Sequence, residues 1–115
     1  MEISKREERI MIIELLYGYD LNNDYIYLNP MDDYSDYVEK IDEIISDSLT
    51  NYKINRLSYV DRAIIRMATS EMLLGLSPNI AINEALEIVK IYTDEGNGAA
   101  VRFVNKLLDN ISKKI

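Results

Sequence analysis

The 115 residues include no cysteine and no histidine. The first absence excludes disulfides and thiolate metal sites. The second removes the commonest general base and the commonest metal ligand, so no His-containing triad can be assembled. Carboxylates remain available, but no EF-hand spacing is present and no cofactor is expected. No apolar run approaches the roughly 20 residues that span a bilayer. The charged start, Met1-Glu2-Ile3-Ser4-Lys5-Arg6-Glu7-Glu8, does not have the form of a signal peptide. A cytoplasmic chain with no membrane partner is the expectation. Repeats and low-complexity tracts are also missing, and nothing alternates with period two strongly enough to suggest a sheet. An enzyme would have to work with carboxylates or lysines alone, and no converging pair is apparent.

What is present points to one folded unit over residues 1–115. A chain of this size buries roughly two-thirds of its unfolded surface, and its hydrophobic fraction of 48% is ordinary. The net charge of −7 argues against a protein that coats nucleic acid. The charge is uneven, however. Residues 20–48 carry nine acids against Lys40, whereas 49–71 carry Lys53, Arg56, Arg62 and Arg66 against two acids. Residues 102–115 carry Arg102, Lys106, Lys113 and Lys114 against Asp109. A net-acidic chain can still present a locally basic face.

Helix signals dominate. Ser4 and Glu7 form a capping-box pattern ahead of Ile10-Met11-Ile12-Ile13, which predicts a first helix over residues 5–19. Asn22-Asn23-Asp24 reads as a break. Tyr25-Ile26-Tyr27-Leu28 is β-prone but has no partner strand, so a loop or short turn closed by Asn29-Pro30 is expected. Ser35 is placed to cap a second helix with Val38, Ile41, Ile45 and Leu49 inward. Ser58 and Asp61 start a third, with the stripe Val60, Ile64, Met67, Ala68, Glu71 and Met72, and Gly75 is placed to end it. Ser77-Pro78 begins a fourth, with Ile82, Ala85, Leu86 and Val89 inward. After the turn Asp94-Glu95-Gly96-Asn97-Gly98, the last helix runs over 99–113 with Phe103, Leu107, Leu108 and Ile111 inward. The expected fold class is all-α, a compact single-domain helical bundle.

The first helix separates its charges. At about 100° per residue, with Ile10 at zero, Lys5, Arg9 and Arg6 fall at roughly 220°, 260° and 320°. Glu14, Glu7 and Glu8 fall at roughly 40°, 60° and 160°. The basic arc shares its azimuth with Ile13, Leu16 and Tyr17. If the helix projects past the bundle, Lys5, Arg6 and Arg9 offer a track for backbone phosphates. Arg62 and Arg66 share a face one i,i+4 step apart. Two readings of Arg66 stay open: RNA contact, or an ion pair with Glu71, Glu84 or Glu87. Glu84 reads as such a structural partner, and Asn83 as a bond to backbone at a helix crossing.

Five segments in order add a family resemblance. The strongest evidence lies in Asn55-Arg56-Leu57-Ser58-Tyr59-Val60-Asp61-Arg62-Ala63-Ile64-Ile65-Arg66, with Met67-Ala68 and Glu71-Met72 beyond it. This stretch is similar to the signature helix of the NusB family and the approach to it, with Tyr52 standing where that family usually has Trp. Leu15-Leu16-Tyr17-Gly18-Tyr19-Asp20 resembles the end of its first helix. Ala81-Ile82-Asn83-Glu84-Ala85-Leu86-Glu87-Ile88-Val89-Lys90 resembles the partner helix, and Phe103-Val104-Asn105-Lys106-Leu107-Leu108-Asp109 the closing motif. There are departures. The stretch between the first helix and Ile41-Asp42 is shortened, Lys106 replaces the usual glycine, and Glu7 and Glu8 interrupt the basic N-terminus.

The resemblance implies a non-catalytic adaptor of transcription antitermination. Such proteins bind boxA-like single-stranded RNA of ribosomal RNA leaders together with a NusE-type ribosomal protein, and join the transcription elongation complex to promote rRNA transcription. On this reading Lys5, Arg6, Arg9, Arg66, Phe103 and Asn105 contact RNA, and Tyr17, Asp61 and Arg62 contact the partner. Phe103 and Tyr17 could instead be core packing, and Asn105 a helix–helix hydrogen bond. A homodimer through the partner-facing surface is left open. So is the alternative of a protein-interaction module of the same fold without RNA binding, which the acidic 20–48 segment favours.

Overall fold

A computed structural model describes residues 4–31, 34–50 and 53–115. Among these there are five α-helices and no strand: α1 (Lys5–Asn22), α2 (Tyr34–Ser48), α3 (Tyr59–Leu73), α4 (Pro78–Tyr92) and α5 (Ala99–Ser112). The all-α expectation holds. No helix among the described residues is long and apolar enough to cross a membrane.

The helix ends form by local chemistry. Ser4 and Ser58 each accept a hydrogen bond at 3.1 Å from the backbone N–H three residues on, Glu7 and Asp61 respectively. These bonds satisfy donors that a helix start leaves orphaned. Asn23 closes α1 in the left-handed region, with φ 50°. Gly75, at φ 103°, ends α3 in a Schellman arrangement. There the Leu76 N–H bonds to the Glu71 carbonyl at 3.0 Å and the Gly75 N–H to the Met72 carbonyl at 3.1 Å. Pro78 opens α4 as expected.

One local expectation changes. The helix α2 begins at Tyr34, so Ser35 stands inside its first turn and is not its cap. Tyr25–Leu28 is a short turn, as expected: one 3-10 turn, capped by Asp24, that buries Leu28. It is the only described element between α1 and α2. Tyr52 lies outside the described residues.

The central helix is α3, packed against all four others. Its buried residues run Ala63, Ile64, Ile65, Arg66, Met67, Ala68, Thr69 and Met72, so it is buried on every side and not along one stripe. On α4 the buried set is Ala81, Ala85, Ile88 and Val89, with Ile82 and Leu86 only half-buried. On α5 Val104 joins Leu107, Leu108 and Ile111 inside, and Phe103 packs half-buried at the edge of the core. Each fully buried large aliphatic side chain contributes about 1.5–3 kcal/mol. The end of α1 is fitted tightly. A Cβ on the buried Gly18 would stand 2.6 Å from the Tyr27 ring, so glycine is what lets the 3-10 turn close onto the helix.

Candidate RNA and partner interface

The basic arc of α1 does not project past the bundle. Arg9 shares its azimuth with Ile13 and Leu16, and all three are buried. Its guanidinium meets two carboxylates there. Nε donates to both oxygens of Glu71 at 2.9 and 3.0 Å, and Nη1 lies 3.6 Å from Glu84. The hydrogen bond to Glu71 holds Arg9 above its ordinary pKa, against the opposing effect of burial. Arg6 reaches the same Glu84 at 3.2 Å from a half-exposed position, while Lys5 is exposed. Glu84 thus joins two helices, but through Arg6 and Arg9 and not through Arg66, and Arg9 is an internally paired cation. An inward azimuth pulled it into the core.

Arg66 is likewise interior, and its expected ion pair exists with different acids. Nε and Nη2 donate to the two oxygens of Asp42 at 2.7 and 2.8 Å, and Nη1 donates to Asp20 at 2.8 Å. The fork of the guanidinium matches a carboxylate in this bidentate way. Burial acts to lower the Arg66 pKa, but the bonds to Asp42 and Asp20 outweigh it and hold the group above its ordinary value. With 5% of its side chain exposed and both ends of its guanidinium paired, Arg66 fits the ion-pair reading better than the RNA-contact one. Glu71, Glu84 and Glu87 are not its partners. The first two serve α1, and Glu87 pairs with Lys90.

Arg62 sits one turn earlier. Its Nη1 lies 3.3 Å from the second oxygen of Asp20, and its Nη2 donates to the carbonyls of Leu57 at 3.0 Å and Asn55 at 3.3 Å. Its side chain is 11% exposed. The guanidinium carbon lies 5.2 Å from the centre of the Tyr59 ring, within cation–π range. Tyr59 in turn meets Tyr17 edge to face at 6.1 Å, with both rings partly in solvent (43% and 37%). Asp61 is half-buried in the first turn of α3, and its Oδ1 has no hydrogen-bond donor among the described residues.

Beside Tyr17, a depression of about 250 Å³ opens between α1, the start of α3 and the end of α4. Ile10, Ile13, Tyr17, Val60 and Tyr92 make it apolar, and exposed Glu14 is its acid. On α5, Asn105 is exposed, next to exposed Lys106 and half-buried Phe103. The structure thus brings Tyr17 and Val60 to one depression and ties Arg62 and Arg66 to one carboxylate. Lys5 and Arg6 stand on a different element from Phe103 and Asn105.

Sequence reasoning missed Asp20 and Asp42 as arginine partners, and Tyr59 as a surface aromatic. No local signal marked Arg66 as interior: the burial of its whole run, Ala63–Thr69, comes from the helices packed around α3.

The comparisons with known proteins agree with this architecture. The sequence model of the NusB family matches residues 27–113. The transcription antitermination protein NusB of Clostridium botulinum is 51% identical over 78 residues, which are 66% of this chain and 56% of that protein. The chain thus spans little more than half the length of that curated relative. The NusB of Listeria monocytogenes is 35% identical over 127 aligned positions, covering 96% of this chain and 97% of its own. That span exceeds 115 residues, so the relative carries additional residues within it. Among solved structures, T. maritima NusB superposes with a TM-score of 0.80 at 29% identity, covering 99% of this chain and 94% of its own. A chain from the crystal structure of a plectonemic RNA supercoil gives 0.78 at 27%, covering 96% and 94%. With a family match over most of its length and a near-complete superposition on T. maritima NusB, the chain belongs to the NusB family.

Proposed function

We propose that the protein is a transcription antitermination factor that binds boxA-type leader RNA together with a NusE-type ribosomal protein, as a non-catalytic part of the elongation complex. The carrying observation is the partly exposed Tyr17–Tyr59 pair beside an apolar depression at the head of α3. Aromatic side chains around a small apolar recess are what protein interfaces use as anchors. Glu14 at this recess suits a basic partner. The same face could instead receive a second copy of the chain, which the molecular mass from sedimentation equilibrium at working concentration resolves.

For RNA, the supported set narrows to Lys5, Arg6, Phe103 and Asn105. Lys5 and Arg6 keep cations at the surface for phosphates. Phe103 and Asn105 supply a ring edge and an amide on α5 for bases. Arg9 anchors the first turns of α1 from inside through Glu71 and Glu84.

Titration of boxA-like RNA with and without the ribosomal protein tests the proposal. Tighter binding with the partner present is expected, weakening with salt. The second reading, a protein-interaction module without RNA binding, is favoured by the net charge of −7 and by the internal pairing of Arg9 and Arg66. Partner binding with no RNA shift at low salt selects it.

A further inference from the structure

We infer that Asp20 is a positioning residue for the partner-facing surface: it holds Arg62 against the loop before α3 and so fixes Tyr59 edge-on to Tyr17. This rests on the proposed reading of that surface. Asp20 lies near the end of α1, with its side chain 7% exposed, and gives one oxygen to each of two arginines. The two are not held equally. Arg66 keeps a bidentate contact with Asp42 whatever happens at Asp20. Arg62 has no other carboxylate among the described residues, only the neutral carbonyls of Asn55 and Leu57.

Arg62 and Arg66 stand at i and i+4 on one face of α3, where like charges repel. Neutralising Asp20 removes the charge between them. Arg66 stays, because Asp42 holds it, and Arg62 is the cation that leaves. With it goes the positive charge over the Tyr59 ring and the clamp on the Leu57 carbonyl just before the Ser58 cap. Tyr59 then loses the contact that orients it toward Tyr17. Asp20 touches neither ring contact directly and acts only through Arg62.

Two carboxylates that flank the same arginine allow a controlled test. Asp20→Asn and Asp42→Asn each remove one partner of Arg66, but only the first removes a partner of Arg62. Arg62→Gln gives a third variant that leaves the Arg66 pairs with Asp20 and Asp42 in place. The first readout is the proton–proton contact between the Tyr17 and Tyr59 rings by NMR in the free protein. The second is the dissociation constant for the NusE-type ribosomal protein. Asp20→Asn and Arg62→Gln are expected to lose the ring contact and bind the partner about two- to thirty-fold more weakly. Asp42→Asn is expected to keep both, although it is destabilised. Retention of the ring contact in Asp20→Asn, or its equal loss in Asp42→Asn, overturns the inference. If the wild type binds no ribosomal protein, the proposed function fails, and the ring contact still decides whether Asp20 places Tyr59.

Discussion

Arg9 of α1 and Glu71 of α3, 62 positions apart in sequence, share a part-buried pair in which one guanidinium Nε is bonded to both carboxylate oxygens. The pair pins the first helix to the central one. Glu71 also gives its backbone carbonyl to the Schellman turn at Leu76, so the contact sits where α3 stops. Arg9→Ala leaves a carboxylate that is only partly solvated. Full burial would cost about 3–5 kcal/mol on removal of one partner, and the partial exposure of Glu71 reduces this to about 1–3 kcal/mol. Urea unfolding measures it. The Arg9→Met, Glu71→Met double variant is expected to recover most of the loss, because no orphaned charge remains.

Lys5 and Arg6 should behave differently from Arg9 in RNA binding. Lys5→Ala with Arg6→Ala is expected to leave unfolding within about 0.5 kcal/mol of wild type. It is also expected to reduce the slope of log affinity against log salt by about 1.4, near 0.7 for each lost phosphate contact on a single strand. Filter binding across a salt series gives the slope. An unchanged slope places the phosphate contacts elsewhere.

Gly18 is set by a close approach. Alanine in a helix interior is favoured over glycine by about 1 kcal/mol. Here its Cβ would meet three atoms of the Tyr27 ring, the nearest at 2.6 Å. Overpacking of this kind costs about 1–3 kcal/mol, so Gly18→Ala should lower the melting temperature. In a Tyr27→Ala background the same change should raise it, since the obstruction is gone and the helix preference remains.

The Tyr34 hydroxyl donates to the Arg66 carbonyl at 3.3 Å, and burial pushes its pKa up to about 12. The folded state therefore holds a proton that the unfolded chain, near pKa 10, releases. This contribution to stability is complete below about pH 10 and is lost as pH rises toward about 12. Unfolding free energy should fall over that window, and Tyr34→Phe should flatten part of the fall. Tyr19, also raised to about 12 chiefly by burial, accounts for a further part.

Much of the helix framework was legible in the sequence because its signals are local. Ser4, Ser58, Pro78 and Gly75 act on backbone groups within a few residues, and each stands where it was read. The α2 stripe of Val38, Ile41 and Ile45 follows from periodicity alone, since one face of that helix is covered. Periodicity was less reliable where burial is not one-sided. It described α3 as a stripe because spacing cannot report that four helices surround it. It placed Leu86 and Ile82 inward on α4, and both pack against the core from its half-buried edge, because spacing gives an azimuth and not a depth.

The candidate site divides along the same line. By itself the sequence determined the family motifs, the segregation of charge on α1 and the shared face of Arg62 and Arg66. Only the tertiary structure decided what those charges do. An arginine reads identically in sequence whether it faces water or two aspartates, because its partners come from distant segments: Asp20 and Asp42 for Arg66, Glu71 and Glu84 for Arg9. Packing of α1 along its Ile13–Leu16 azimuth turned Arg9 inward, and the surrounded α3 enclosed Arg66. Lys5 and Arg6, one turn before Arg9, remain exposed on α1, Arg6 while pairing with Glu84.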